Sequence, residues 1–349
     1  MFLEMILSME APMTKAPRLL KFLLTAAVLL IAPVQAHVEP LKIRLGYVVP
    51  VTNLASILFA KDGLAKHNGK TYVVEVIRHQ ASTTQIIALA NGELDIALLG
   101  FTSLPLAIEN ARMDDLRAIV GELRDGAPGY YSNEFAVAAD GPVRKVEDLK
   151  GKVLATNAQG SAVDVGMRAR LRMSGLESKR DYTIIEAQFS AMRAMLGEHK
   201  ADLVPNVPPF SMHPDMLKIA RTLFTQADGI GIGELGLWVA RADFIAKNRA
   251  VLTDFLEDYL RMVRFYTDPA NHDEAVGIAA NYMKLPASTF DAWLFTKKDY
   301  YRDPAGGIDV VALQRTYDVQ KELGFRKSSI EAARYIDLSV IGDVGKRLK

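Results

Sequence analysis

Residues 148–175, DLKGKVLATNAQGSAVDVGMRARLRMSG, decide how this chain is read. Val153, Leu154 and Ala155 form a short apolar run that predicts a buried strand. The polar turn Thr156-Asn157-Ala158-Gln159-Gly160-Ser161 follows. Beyond it Val163, Met167 and Leu171 recur every four residues, the spacing of a helix's inner face. Ser161 fits the N-cap and Gly175 the stop. Strand, polar turn and helix start together make a place for an anion. The first N–H groups of the helix, with its partial positive end, point into the crevice at the strand's carboxyl edge. The same pattern also serves as an ordinary strand–helix connection, so the reading depends on what the rest of the chain brings to it.

Upstream, residues 41–122 alternate strand and helix signals. LKIRLG (41–46) and YVVEVI (72–77) predict strands, as do 95–99 and 117–120. Between them the apolar spacing predicts helices over 53–67, 83–90 and 103–111. Strands separated by helices imply a parallel sheet of βαβ units. Gly126-Ala127-Pro128-Gly129 interrupts the series, and EFAVAA (134–139) is expected to carry the chain into a second lobe. That lobe holds the opening strand-turn-helix, a strand at 183–186, a helix over 190–199 and the short run 202–204. Residues 235–240 are expected to bring the chain back. From Phe244 the pattern is helical: Val251, Phe255, Tyr259 and Val263 line one face, and 275–283, 290–295 and 310–323 continue it. The expectation is an α/β protein of two βα lobes joined by two crossing segments, with a helical C-terminal tail. A ligand is expected between the two lobes.

Composition removes several alternatives. The chain has 349 residues, half of them apolar, enough for a sizeable core. Lys and Arg number 42 against 41 Asp and Glu, and no basic stripe points to nucleic acid. Cysteine is absent, which excludes a disulfide framework, a thiol nucleophile and cysteine-ligated metal. The six histidines, at 37, 67, 79, 199, 213 and 272, show no ligand spacing, so no metal is expected. Ser161 lies in Q-G-S-A rather than a nucleophile elbow, and Gly231-x-Gly233 lacks the third glycine of a dinucleotide fingerprint. No cofactor is expected. At the N-terminus, Lys15, Arg18 and Lys21 precede the apolar run 22–31 and then Pro33-Val34-Gln35-Ala36. This predicts a secretory signal over 1–36, cut after Ala36, with the apolar run too short to span a membrane. Met13 is a more natural start than Met1. No cysteine follows the cut, so a soluble periplasmic protein without a lipid anchor is expected.

The segments Ile43-Arg44-Leu45-Gly46-Tyr47, Leu89-Ala90-Asn91-Gly92-Glu93-Leu94-Asp95-Ile96-Ala97 and Val146-Glu147-Asp148-Leu149-Lys150-Gly151-Lys152 resemble a known family. It is the sulfonate/nitrate/taurine type of periplasmic solute-binding protein serving ABC importers. The resemblance covers most of residues 40–240. It implies a type 2 periplasmic-binding fold with residues 37–135 and 238–349 as lobe one and residues 136–237 as lobe two, capture of a small solute, and delivery to a membrane permease with an ATPase subunit. The segment Asn206-Val207-Pro208-Pro209-Phe210 and the tail from 252 onward depart from it.

In such sheets ligands sit outside the carboxyl ends of the strands. The candidate ligand contacts there are Tyr47, Thr52, Gln80, Ser82, Phe101 and Thr102 in lobe one. Asn157, Gln159, Ser161, Asn206 and Phe210 follow strands of lobe two, and Glu234 lies on the return crossing. Hydroxyls, amides and rings of this kind suit an anion held by neutral donors, with an apolar body stacked on Tyr47, Phe101 or Phe210. Other roles compete: Ser82 and Ser161 as helix caps, Phe101 and Phe210 as packing. Glu234 would repel an anion unless the solute also carries a donor such as an amine. Trp238 reads as core, and Arg168, Arg170 and Arg172 as a solvated helix face. The expected solute is a small organic anion of sulfonate or carboxylate type, bound by a monomer without turnover. The alternative is an enzyme on the same fold, similar to thiamine-pyrimidine synthases or menaquinone-pathway lyases. The first depend on a cysteine motif missing here, and the second are cytosolic whereas this chain carries an export signal.

Overall fold

The computed structural model describes residues 39–348; the expected signal, its cut after Ala36 and the start at Met13 lie outside the described residues. The strands are β1 (Leu41–Tyr47), β2 (Tyr72–Arg78), β3 (Ile96–Leu99), β4 (Leu116–Asp125), β5 (Glu134–Ala138), β6 (Val153–Thr156), β7 (Thr183–Glu186), β8 (Val204–Asn206), β9 (Ala220–Thr225) and β10 (Gly233–Arg241). One sheet runs β2-β1-β3-β10-β4; β2 and β3 lie parallel to β1, and β10 is antiparallel to both its neighbours. In the second region β5 lies between β8 and β9, antiparallel to each, while β6 pairs parallel with β7. The N–H groups of Asp202 and Ala155 donate to Val153 and Leu203 and draw β6 alongside the start of β8.

Sequence accounts for the assembly of the first sheet. Ile43 and Leu45 are fully buried while Arg44 between them turns outward. The Asp95 carboxylate accepts the backbone N–H of Arg44 and both arms of its guanidinium, at 2.7–2.9 Å, and ties β1 to the head of β3. Helix α1 (Ser82–Ala90) is held on the sheet by Gln85, whose buried amide donates to the Leu98 carbonyl at 2.8 Å and accepts the Leu98 N–H at 2.9 Å. Gly46 makes this approach possible, because a Cβ there would lie 2.3 Å from Oε1 of Gln85. Helix α2 (Ser103–Ala111) follows β3, and helix α3 (Ala162–Met173) follows β6.

The tail returns to the first sheet. Helix Arg249–Thr267 buries Phe255, Tyr259 and Val263 beneath Trp238, whose ring lies 5.5 Å from Phe255 and 4.3 Å from Tyr259. Nε1 of Trp238 donates to the buried Glu122 carboxylate at 2.9 Å. Further on, the tail is stitched along β4 and the segment after it. Arg124 donates to the Tyr301 carbonyl, Gly121 to that of Gly306 and Tyr131 to that of Asp299.

Four expectations are corrected. Residues 53–67 hold only a short 3-10 turn, Leu54–Ser56. Their backbone N–H groups are claimed by carboxylates from far along the chain: Glu122 takes that of Leu54, and Asp258 takes those of Lys66 and His67. These bonds replace a helical ladder. The strand at 134–138 lies wholly within the second sheet and 235–240 wholly within the first, so the chain passes between the sheets at 126–133 and 226–232. Residues 290–295 form turns, with Phe295 at φ 58°. Arg168 is not solvated: it pairs with Asp164 at 2.9 Å and lies over the Phe325 ring at 5.3 Å.

Candidate functional site

The carboxyl ends of both sheets open on one cavity of about 80 Å³. A water molecule needs roughly 10–15 Å³ measured this way, so the space suits a handful of heavy atoms. From the first sheet come the loop after β1, the start of α1 and Gly100 after β3. From the second come the turn before α3, Phe189 after β7, and Val207-Pro208 after β8.

Each polar group is set by its local turn. Asn53 accepts the N–H groups of Val48 and Val49 on Oδ1, at 3.1 and 2.7 Å, and bends the loop after β1. Its amide nitrogen has no partner among the described residues. The N-cap of α1, Ala81, offers no side chain, so the first N–H groups of that helix stay uncapped. Ser82 Oγ instead accepts the Gly100 N–H at 3.0 Å. In the turn before α3, Ser161 caps Asp164 N–H at 3.3 Å and donates its own proton to Oδ1 of Asn157 at 2.8 Å. That bond orients the Asn157 amide and leaves its NH2 without a protein partner among the described residues. The N–H groups of Ala162 and Val163 are beyond the reach of the single cap.

No charged side chain lines this cavity. Its polarity comes from two helix starts and neutral amides, which favour negative charge. Asp164, in the first turn of α3, is turned away: it accepts Gly160 N–H at 2.8 Å and is neutralised by Arg168. Burial pushes its carboxyl up and Arg168 pulls it back down. At the junction behind the cavity, Asp125 accepts Asn133 N–H at 2.6 Å and the Ser132 hydroxyl at 2.8 Å. Burial pushes its carboxyl up to about 7. The two sides meet directly across the cavity. Thr52 donates to the Pro208 carbonyl at 2.8 Å, and a Cβ added to Gly100 would stand 3.2 Å from that of Ala162.

Of the residues expected from sequence, Thr52, Ser82, Asn157 and Ser161 come together on this cavity. Gln80 and Phe210 line a second cavity that adjoins it, and Asn206 lines a third beyond Phe210. The remaining five are corrected. Tyr47 is buried in the core and its hydroxyl shares a hydrogen bond with that of Tyr282 at 2.8 Å. Phe101 is fully buried against Gly233. Thr102 is buried, with its carbonyl accepting from Gln320 at 2.8 Å. Gln159 faces solvent, its N–H donating to Glu186. Glu234 is buried away from the cavity, paired with Arg124 at 2.5 Å and accepting the Asp309 N–H. Sequence reasoning missed Asn53, Asn133, Phe189 and Tyr300, all on the cavity wall. Asn53 carried a usable signal, since an Asn in V-T-N-L-A-S is apt to fold its side chain onto nearby N–H groups.

Two sheet-bearing regions, two crossings and a cavity at the strands' carboxyl ends make this a periplasmic-binding-protein fold. The chain belongs to the NMT1-like family, whose profile matches residues 36–280. Among solved structures it is similar to the alkanesulfonate-binding protein SsuA from Xanthomonas axonopodis pv. citri bound to MOPS, at 18% identity over 86% of this chain and 99% of that chain, TM-score 0.70. It is similar also to the periplasmic aliphatic sulphonate binding protein SsuA from Escherichia coli, at 19% identity over 86% of this chain and 92% of that one, TM-score 0.66. The periplasmic nitrate-binding protein NrtA from Synechocystis PCC 6803 matches at 13% identity over 89% of this chain and 90% of that one, TM-score 0.70. No curated protein matches in sequence.

Proposed function

We propose that this protein is the periplasmic solute-binding component of an ABC importer, capturing a small organic anion of sulfonate or carboxylate type. In this reading residues 37–135 and 238–349 form one lobe and residues 136–237 the other, and the lobes close on the solute and present it to a permease with its ATPase subunit. The observation that carries this reading is the convergence of the uncapped start of α1 with Asn157 and the start of α3 on one small cavity. Neutral donors there stabilise an anion without an ion pair that would make release slow. Ser82, Asn157 and Asn53 are the proposed donors, and Thr52 and Ser161, whose hydroxyl protons go to the Pro208 carbonyl and to Asn157, are the proposed contacts that hold the wall in place. Sulfonate- and nitrate-binding proteins of like fold support the class of solute. The reading is one of binding without turnover, because the lining offers hydrogen-bond donors and apolar walls. Among the described residues no helix is long and apolar enough to cross a membrane. The protein is proposed to act after export through the signal at 1–36, as a monomer without a lipid anchor.

Thermal unfolding of the purified protein against sulfonates, carboxylates, nitrate and pyrimidines tests this. A ligand at a hundred times its dissociation constant adds about 2.7 kcal/mol, a shift of several degrees. A rise with one class of organic anion is expected. Stabilisation by none, or chemical conversion of whichever compound binds, contradicts the proposal.

A further inference from the structure

The cavity at the helix starts adjoins a larger one, of about 260 Å³, along the shared walls Val48, Val49 and Phe189. Most of its other walls are polar and come from both sheets. Arg78, His79 and Gln80 stand at the carboxyl end of β2, and Gln188 and Ser190 follow β7. Arg78, Gln80, Gln188 and Ser190 are all exposed, and among the described residues none of their side chains has a hydrogen-bond or ion-pair partner. One such side chain is ordinary on a surface. Here four of them, from two sheets, line one cavity beside the proposed anion site.

The charge on these walls is one-sided. The chain carries 41 acidic residues in 349, yet none lines either cavity. Glu186, two residues before Gln188, is engaged elsewhere, accepting the Gln159 N–H at 3.0 Å. Burial lowers the His79 ring's affinity for a proton, against the opposing pull of Glu93. At neutral pH Arg78 is then the one full positive charge on the walls of either cavity among the described residues. The crevice has two separate poles that favour negative charge. The starts of α1 and α3 form the inner one and the Arg78 guanidinium the outer one, with Val48, Val49 and Phe189 between them. A solute with a single acidic group meets only one pole. The planar fork of Arg78 matches a carboxylate, and because it faces water such a pair forms and parts readily.

We propose that the solute is a dianion: one acidic group sits at the starts of α1 and α3, and a second, a carboxylate, is read by Arg78 with Gln80 and Gln188 beside it. This rests on the anion-receptor reading above and narrows it from one acidic group to two.

Calorimetric titration of the purified protein with matched pairs tests the assignment: glutarate beside pentanoate, adipate beside hexanoate, and 3-sulfopropanoate beside propanesulfonate. In the pair whose length spans the two poles, the dianion is expected to bind about tenfold tighter or more. That gain should shrink as salt rises from about 20 mM to about 0.5 M, because Arg78 is exposed. Arg78→Gln, checked for folding by its melting temperature, is expected to bring the ratio of the two affinities to within about twofold of one. Dianions no tighter than their partners in every pair overturn the second pole and leave the receptor reading standing. A gain that survives Arg78→Gln places the second group elsewhere and also overturns it. Failure of every anion of either kind to bind overturns the receptor reading together with this one.

Discussion

Asn157→Asp reverses one atom's role at the centre of the proposed site. The side chain keeps its size. One carboxylate oxygen still accepts the Ser161 hydroxyl, now held at 2.8 Å from Oδ1, so the α3 cap is preserved. The other oxygen replaces the unshared NH2 and sets a negative charge against the solute. Two like charges about 4 Å apart repel by about 4 kcal/mol at an effective dielectric near 20. That corresponds to roughly a thousandfold loss of affinity. The empty protein should keep its melting temperature within a few degrees, because the new charge faces the cavity and the positive end of α3. Below about pH 4 the introduced carboxyl protonates, regains a donor and recovers much of the lost affinity, while a sulfonate stays ionised. Calorimetric titration with butanesulfonate at pH 7.5 and pH 4, beside wild type, measures both effects. Affinity within threefold of wild type at pH 7.5, or tighter, refutes the placement of the anion beside Asn157.

Gly100→Val pushes a branched side chain toward Ala162, where a bare Cβ already stands 3.2 Å away; overpacking of this kind costs about 1–3 kcal/mol. Solute affinity measured by calorimetry should fall about tenfold or more, and an unchanged value removes this pair from the closing contact. Asp125 titrates near 7 in the fold against 3.8 ordinarily, because burial disfavours its charge. The folded state therefore holds more protons than the unfolded state between those values, and stability falls as pH rises from about 4 to 7, by at most ~4 kcal/mol from this group. Asp125→Asn should gain stability relative to wild type between pH 5 and pH 8 in urea melts; a difference independent of pH contradicts the assignment. Phe101→Ala should cost about 3–5 kcal/mol of stability as a core truncation, read by urea melts. Glu234→Ala should cost less, about 1–3 kcal/mol, because Arg124 keeps Asp303 at 3.7 Å and the Gly307 carbonyl at 3.0 Å. Solute affinity in Glu234→Ala should stay near wild type, whereas a large change would return Glu234 to the site.

What local patterning governs was legible in the sequence. The strand Val153–Thr156, the Ser161 cap and helix Ala162–Met173 fall where the apolar spacing and turn chemistry place them. Asn157 and Ser161 were readable as cavity residues because cap and amide belong to the same five-residue turn. What depends on contacts across the chain was not legible. The apolar residues of 53–67 have helical spacing, but Glu122 and Asp258 take the backbone protons that a helix would use. Glu234 lies at the head of the return strand β10, where the sequence places a ligand contact, yet its partner Arg124 lies 110 residues earlier. Tyr300 reaches the cavity only because the tail is stitched along β4 by backbone bonds, for which its sequence gives no sign.

A crystal of the protein grown with a bromoalkanesulfonate tests the central claim most directly, since the bromine's anomalous signal fixes where the solute lies and which way it points. The account predicts the sulfonate oxygens within hydrogen-bond reach of Asn157 Nδ2 and the first N–H groups of α1 and α3, with bromine pointing away from them. A sulfonate bound elsewhere, with the space between the two sheets holding none, contradicts it.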